Sequence, residues 1–155
     1  MKCAAELETI RTNVVETRKL EMQTNALIKY QNASIRAVEY CENVLAKQFE
    51  EQALNGQSIY LHLNVEAKKD VLGNTLFRVC KTEPKYRTVH HRNGTTSSKR
   101  DGSYYYPQTD YLAYEVFAEY LAKYCYRSSI YCATRSSDNT YVGNISISAN
   151  PKCDK

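Results

Sequence analysis

The sequence predicts an α+β protein, in which a long N-terminal helical part precedes an antiparallel sheet and one further C-terminal helix. Three observations indicate this class: residues 1–55 contain neither glycine nor proline, a strictly alternating segment follows, and a second helical pattern stands between later strand-like segments. At 155 residues, one domain is expected. It comprises a helical part (1–55), an α+β part (56–149) and a frayed tail (150–155).

The helical part is rich in Ala, Leu, Glu, Lys, Arg and Gln, which favour helix. Its apolar residues recur at spacings of three and four, the pattern of one buried face. The stripe weakens through Thr17, Glu21, Thr24 and Gln31. Either one helix of roughly 75 Å or two helices meeting near Asn32, which would cap the second, fits this pattern.

This stripe also predicts a homo-oligomer, because residues 56–155 are too few to cover it. We expect self-association through eight apolar side chains on the helical part: Leu7, Ile10, Val14, Ile28, Ile35, Val38, Leu45 and Phe49. The alternative is a two-helix hairpin that packs on the chain's own sheet. Asn55-Gly56 is typical of a helix C-terminus.

The first strands follow directly. Ile59, Leu61, Leu63 and Val65 alternate with polar neighbours, which predicts a half-buried strand. Residues 70–74 contain turn formers, and 75–81 form a second strand candidate.

A hairpin is predicted beyond Pro84, which is expected to break the second strand. Residues 86–92 are a strand candidate that ends at the turn signal Asn93-Gly94. The polar residues 95–102 indicate a loop, and 103–106 return as a strand.

The C-terminal third predicts a helix between strands. Residues 107–110 open it, with Thr109 or Asp110 as the cap. Strand patterns follow at 130–134 and 140–148, joined by residues 135–139. The buried side of the helix is expected to carry Ala113, Val116, Phe117, Tyr120, Leu121 and Tyr124.

The charge distribution locates a candidate contact surface. The formal net charge is only +4, but the stretch from Arg78 to Arg100 holds seven Lys and Arg against one acid, Glu83. Ten of the fourteen tyrosines lie between Tyr104 and Tyr141, directly after this stretch. Cations beside planar rings suit an anionic partner, because phosphates pair with the charges and bases stack on the rings.

We therefore expect the hairpin within 78–106 to bind nucleic acid or a nucleic-acid-binding protein. Three consecutive tyrosines in a strand point to alternate faces, so at least one is expected to be exposed. The candidate partner-binding residues are Lys85, Arg87, His90, His91, Arg92, Lys99, Arg100, Tyr104, Tyr105 and Tyr106.

The function expected from these features is non-catalytic binding. Small single-domain chains without catalytic motifs are often inhibitors encoded by phages or mobile elements, so an inhibitor of a host defence system is one form of this hypothesis. One alternative is a metal-independent ribonuclease, with His90 or His91 as general acid or base and Arg87 and Arg92 stabilising the phosphorane. Another is a dimer that captures an anionic nucleotide between Arg and Tyr side chains.

Neither a cofactor nor a metal is expected, because no closed Cys/His ligand spacing occurs among the six cysteines and three histidines. No apolar stretch approaches the roughly 18 residues of a membrane span. Acids follow Met1 before an apolar run can form, which predicts the absence of a secretory signal, a cytoplasmic location and reduced cysteines.

Overall fold

The computed structural model describes residues 1–135 and 140–153. It confirms the α+β class: a long N-terminal helix is followed by a six-stranded antiparallel sheet and one further helix. The predicted connection at 135–139 lies mostly outside the described residues, as do the last two residues of the predicted tail.

The helical part is one continuous helix, which decides between the two alternatives. Helix α1 (Ala4–Tyr40) passes through one π-helical turn (Cys41–Leu45) into α2 (Ala46–Leu54). In the π turn, the N–H of Ala46 donates to the carbonyl of Cys41, five residues back. Asn32 lies inside α1 and is not a cap, so that prediction was wrong.

The buried side of α1 is made of small residues. Ala26, Ala33 and Ala37 are buried, whereas the larger Ile28 and Ile35 are about half exposed. Alanine lets the helix backbone approach its neighbours closely, and Ala33 packs with Leu76 and with Ala113. The alanine face that packs on the sheet is thus a different face from the apolar stripe, which the sequence assigned to self-association.

The sheet consists of five long strands in the order β3-β2-β1-β6-β5, and the short β4 pairs with β2. Its strands are β1 (Tyr60–Lys69), β2 (Thr75–His90), β3 (Thr96–Pro107), β4 (Leu112–Ala113), β5 (Tyr126–Arg135) and β6 (Tyr141–Ala149). One face carries the core, where Phe77, Val65 and Ile145 meet the helices. Helix α3 (Tyr114–Lys123) contributes Phe117 and Leu121 to the same core.

Leu45 and Phe49 belong to this core as well, with 1% and 4% of their surface exposed. Leu45 ends the π turn and Phe49 lies in α2, where the helix meets α3 and β5, and the Phe49 ring stacks on Tyr126 at 4.5 Å. These two side chains are therefore not accessible for the self-association that the sequence predicted for them.

Strands β2 and β3 are longer than predicted. Strand β2 runs through Pro84, which was expected to break it, and the predicted loop at 95–102 lies mostly within β3. From Lys81 onward, β2 has a register only with β3 in the described part of the chain, so one of its edges is free. Proline is tolerated at such an edge, because a missing N–H there breaks no ladder.

Helix α3 begins later than predicted. Neither Thr109 nor Asp110 caps it, because β4 intervenes and the helix starts at Tyr114. The Thr109 hydroxyl instead accepts a hydrogen bond of 3.1 Å from the N–H of Val79 in β2. Tyr124, predicted to be buried, is 56% exposed.

The C-terminal tail is attached to the end of α3. Cys125 and Cys153 form a disulfide with their Cα atoms 5.5 Å apart, and the N–H of Asn150 donates to the carbonyl of Cys125 at 2.8 Å. The prediction that all cysteines are free thiols was thus wrong for Cys125 and Cys153, and the frayed tail stays a prediction for the residues after 153. Cys125 has a left-handed φ of 66°, which these two links maintain.

Candidate nucleic-acid interface

The two-stranded extension of the sheet, residues 81–106, is called the ribbon here. Strand β2 leaves β1 after Cys80 and continues with β3 alone to His90. At roughly 3.3 Å per residue, this length extends about 30 Å. Nearly all of its side chains are exposed.

One irregularity sets the geometry of the ribbon. Pro84 pairs with Ser103 and Tyr86 with Arg100, so Asp101 and Gly102 together lie opposite Lys85. Gly102 has a φ of 79°, the left-handed conformation that glycine adopts without steric cost. A β-bulge of this kind leaves β2 regular and increases the local twist of the ribbon.

The register assigns each side chain to a face, because directly opposite residues point to the same side and neighbours alternate. Lys81 lies opposite Tyr106, Glu83 opposite Tyr104, and Arg87 opposite Lys99. Together with Lys85, these residues form what we call the basic face of the ribbon: Lys81, Glu83, Lys85, Arg87, Lys99, Tyr104 and Tyr106. It continues the helix-facing side of β2 that carries Phe77 and Val79 in the core.

Two tyrosines and a lysine interact on this face. The rings of Tyr104 and Tyr106 have centroids 6.2 Å apart with a 34° tilt, and the Lys85 ammonium lies 5.3 Å from the Tyr104 centroid. Tyr104 and Tyr106 are both nearly half exposed, whereas Tyr105 points to the other face and is half-buried. The prediction that alternation exposes at least one of the three is confirmed.

The remaining candidate residues lie elsewhere on the ribbon. His90 and Arg100 share the opposite face with Tyr105, and Arg100 donates a hydrogen bond of 3.0 Å to the Ser103 hydroxyl. His91 and Arg92 are in the terminal turn, where Nε2 of His91 lies 2.8 Å from the Ser97 hydroxyl. The structure therefore places the ten candidates on two faces and a tip.

Arg78, the first cation of the basic stretch, is not part of the ribbon. Its guanidinium pairs with the Glu66 carboxylate at 2.6 Å and lies 5.0 Å from the Tyr111 ring. The Arg78 pKa is raised, with burial opposing the effect of the Glu66 hydrogen bond. This cation stabilises the sheet where β1 and β2 pair.

The placement of histidines and cysteines bears on the catalytic and metal-binding alternatives. His90 and His91 are both exposed, His90 at the end of β2 and His91 in the terminal turn of the ribbon. Burial raises the pKa of the Cys80 thiol to about 11, which opposes formation of a reactive thiolate. Within residues 1–135 and 140–153, no three His, Cys, Asp or Glu side chains are grouped as metal ligands.

A second exposed surface lies on α1. Leu7, Ile10, Val14, Ile28 and Ile35, here called the helix stripe, are 42% to 58% exposed. Since residues turn by about 100° each along a helix, Ile28 and Ile35 lie opposite the packed Ala26 and Ala33. Val38, the remaining predicted position in α1, is half-buried.

Sequence reasoning missed Lys81 and Glu83 as parts of the basic face. The signal was present, since residues 81, 83, 85 and 87 follow the two-residue period of a strand. The expected break at Pro84 hid that period.

Comparison with models of known protein families, with curated proteins and with solved structures gave no match for this chain. None of the helices in the described part of the chain combines the length and apolar character of a membrane span.

Proposed function

We propose that this protein is a non-catalytic nucleic-acid-binding protein that contacts its ligand through the basic face of the ribbon. The observation that carries the proposal is the grouping of Lys85, Arg87 and Lys99 with the exposed Tyr104 and Tyr106 on one side of a protruding β-ribbon. A cationic surface that also presents ring faces can neutralise phosphates and stack on bases.

The charge distribution supports nucleic-acid binding over the alternative that the charged ribbon serves only solubility. The ribbon holds six Lys and Arg, and only two acids, Glu83 and Asp101. Its excess of four positive charges equals the formal net charge of the whole chain. The rest of the sequence is balanced, so an approaching polyanion is attracted to the ribbon first.

The shape of the ribbon suits two forms of nucleic acid. A two-stranded β-ribbon fits the major groove of B-DNA, which is roughly 12 Å wide. Unpaired bases, by contrast, can stack on Tyr104 and Tyr106. The exposed ring pair favours the single strand, because rings are of little use against a continuous phosphate backbone.

We propose further that the active form is a homo-oligomer assembled through the helix stripe. Successive residues of the stripe are three, four, fourteen and seven positions apart, which are heptad spacings with two heptads between Val14 and Ile28, and the stripe points away from the chain's own sheet. A second copy of α1 is the proposed occupant, because its apolar residues recur at the same spacings. Two ribbons in one assembly would bind one strand with an increased effective concentration.

The test is fluorescence anisotropy with labelled single- and double-stranded 20-mers of RNA and DNA. Wild type is compared with Lys85→Ala/Arg87→Ala/Lys99→Ala on the basic face. The matched control, Lys19→Ala/Lys29→Ala/Lys47→Ala, removes the same charge from exposed helix positions. We expect at least a tenfold loss of affinity in the ribbon variant and under a threefold loss in the control.

Two results would contradict the proposal. Equal losses in both variants would mean that net charge alone attracts the ligand, and no binding at low salt would exclude nucleic acid as the partner. In the second case an acidic protein surface becomes the ligand to test. Shortening of the probe during the assay would favour the ribonuclease alternative.

A role as an inhibitor of a host defence system and capture of a nucleotide between two protomers stay predictions. Inhibition is compatible with this proposal, because a protein that binds RNA through the basic face can compete with an RNA-guided enzyme for that RNA. Nucleotide capture requires Arg87 and Arg92 to meet across an oligomer interface.

A further inference from the structure

A cavity of about 600 Å³ lies between the π turn with α2 and helix α3, and no residue of the ribbon lines it. Its volume is within the range of roughly 300–1,000 Å³ that is usual for small-molecule sites. A π turn inside an α-helix is often associated with a functional site, because it displaces side chains from the regular helical positions. The cavity is therefore a candidate ligand site separate from the basic face of the ribbon.

The walls of the cavity are apolar and aromatic. Phe49 and Tyr126 stack at 4.5 Å with an 11° angle between their planes, and the rings of Tyr120 and Tyr124 have centroids 5.1 Å apart. Leu45 and Leu121 complete the apolar part. These surfaces accept a flat or branched hydrocarbon group, and the ring faces carry the negative quadrupole that attracts a cation.

The charges of the cavity all have one sign. Glu42 in the π turn and Glu50 in α2 line it, and no Lys, Arg or His is among its described lining residues. The Tyr120 phenol donates a hydrogen bond of 2.8 Å to Oε1 of Glu42, which fixes that carboxylate at the rim and raises the pKa of Tyr120. Cys41 also lines the cavity, and burial raises the pKa of its thiol to about 12.

We propose that this cavity binds a small organic cation whose hydrocarbon body contacts the aromatic walls and whose ammonium group pairs with the carboxylate of Glu42 or Glu50. Both carboxylates disfavour an anion, and a neutral apolar molecule gains no ion pair with either of them. This site is independent of the ribbon, so the failure of either proposal leaves the other standing.

Isothermal titration with three probes of the same hydrocarbon body tests the proposal: 4-phenylbutylammonium, 4-phenylbutanol and 5-phenylpentanoate. We expect the ammonium to bind at least tenfold more tightly than the alcohol, and the carboxylate to bind most weakly. Comparable binding of ammonium and carboxylate, or no binding of the ammonium, would overturn the proposal.

Three variants locate the site. Glu42→Gln/Glu50→Gln keeps an acceptor for Tyr120 and should lower ammonium affinity about tenfold while leaving the alcohol unchanged. Glu51→Gln is the matched control, because Glu51 neighbours Glu50 without lining the cavity. Ala53→Trp fills the cavity from an exposed lining position and should abolish binding of both probes. An effect of Glu51→Gln as large as that of the double variant, or unchanged binding to Ala53→Trp, would refute the assignment.

Discussion

The ammonium group of Lys85 lies 5.3 Å from the centre of the Tyr104 ring, although the two residues are on different strands and separated by a turn. Lys85 shares a face with Lys81, Glu83 and Arg87 because β2 is regular, and the bulge at Gly102 sets two residues of β3 against it and brings Lys99, not Arg100, opposite Arg87. A cation over an exposed ring adds about 0.5–1 kcal/mol at a surface site.

Tyr104→Leu/Tyr106→Leu should weaken binding to single strands more than to duplexes. Stacking on an aromatic side chain contributes about 1–3 kcal/mol per base, whereas a duplex has its bases already stacked. We expect at least a tenfold loss for single-stranded probes, measured by anisotropy. The control is Tyr131→Leu on β5, where the tyrosine is 66% exposed and outside the ribbon. An equal loss for duplexes would argue against stacking.

Substitution by alanine should cost different amounts of stability at two glycines, Gly102 and Gly143. At Gly102, an added Cβ meets no atom within 4 Å, so Gly102→Ala costs only the left-handed conformation, about 1–2 kcal/mol. At Gly143, a Cβ would lie 1.9 Å from the Tyr131 carbonyl oxygen, so Gly143→Ala must displace β5.

Urea unfolding of the two variants measures the difference. Gly143→Ala should lose roughly 3 kcal/mol or more of unfolding free energy. Gly102→Ala should lose less and should weaken nucleic-acid binding, because the basic face is no longer aligned. The reverse order of stability would mean that the β5–β6 pairing differs from the register described.

Leu7→Asp/Val14→Asp/Ile28→Asp should give a monomer. Acidic side chains in an apolar seam remove the buried contacts and introduce repulsion between copies. Val15→Asp is the control, because Val15 is equally exposed on α1 but lies outside the helix stripe. Sedimentation equilibrium measures the mass of both variants and of the wild type. A wild-type chain that is still monomeric at about 100 μM would exclude the proposed assembly.

Cys153→Ser should lower stability through the loss of one link between α3 and the tail. The bond joins residues 28 apart in sequence, and the chain-entropy model gives roughly 3–4 kcal/mol for such a loop. Cys3→Ser, at an exposed free cysteine, is the matched control. Urea unfolding without reductant measures both, and equal stability of the two variants would contradict the link.

The free thiols should differ in their rates of alkylation. Burial raises the pKa of Cys41 to about 12 and that of Cys80 to about 11, so at pH 8 about a thousandth or less of each is thiolate. Cys3 is exposed and should react first with iodoacetamide. Mass spectrometry of the native protein records the order in which the thiols are alkylated. Early labelling of Cys41 would mean that the π turn opens.

Local sequence patterns predicted the fold class and most of the helices and strands. The features that these patterns missed have identifiable physical causes. The strand at Tyr60–Lys69 followed from strict alternation, because one of its faces is buried. The packed face of α1 did not follow from apolarity, since Ala33 and Ala37 pack by being small while Ile28 and Ile35 stay outside.

The candidate site was predicted in composition but not in arrangement. The ribbon's cations and tyrosines were all visible in the sequence, yet their division into two faces depends on the register across Pro84 and Gly102. The cavity could not be anticipated, because it requires the π turn and long-range contacts such as that between Glu42 and Tyr120.

The salt dependence of single-strand binding tests the central claim most directly. For a ligand held by phosphate contacts, the logarithm of the binding constant falls linearly with that of the salt concentration, by about 0.7 per phosphate for single strands. We expect a slope of roughly −2 to −3 for wild type. Lys85→Ala/Arg87→Ala/Lys99→Ala should bring it to within about one unit of zero. A slope near zero for wild type, or the same slope in both proteins, would contradict binding through the basic face of the ribbon.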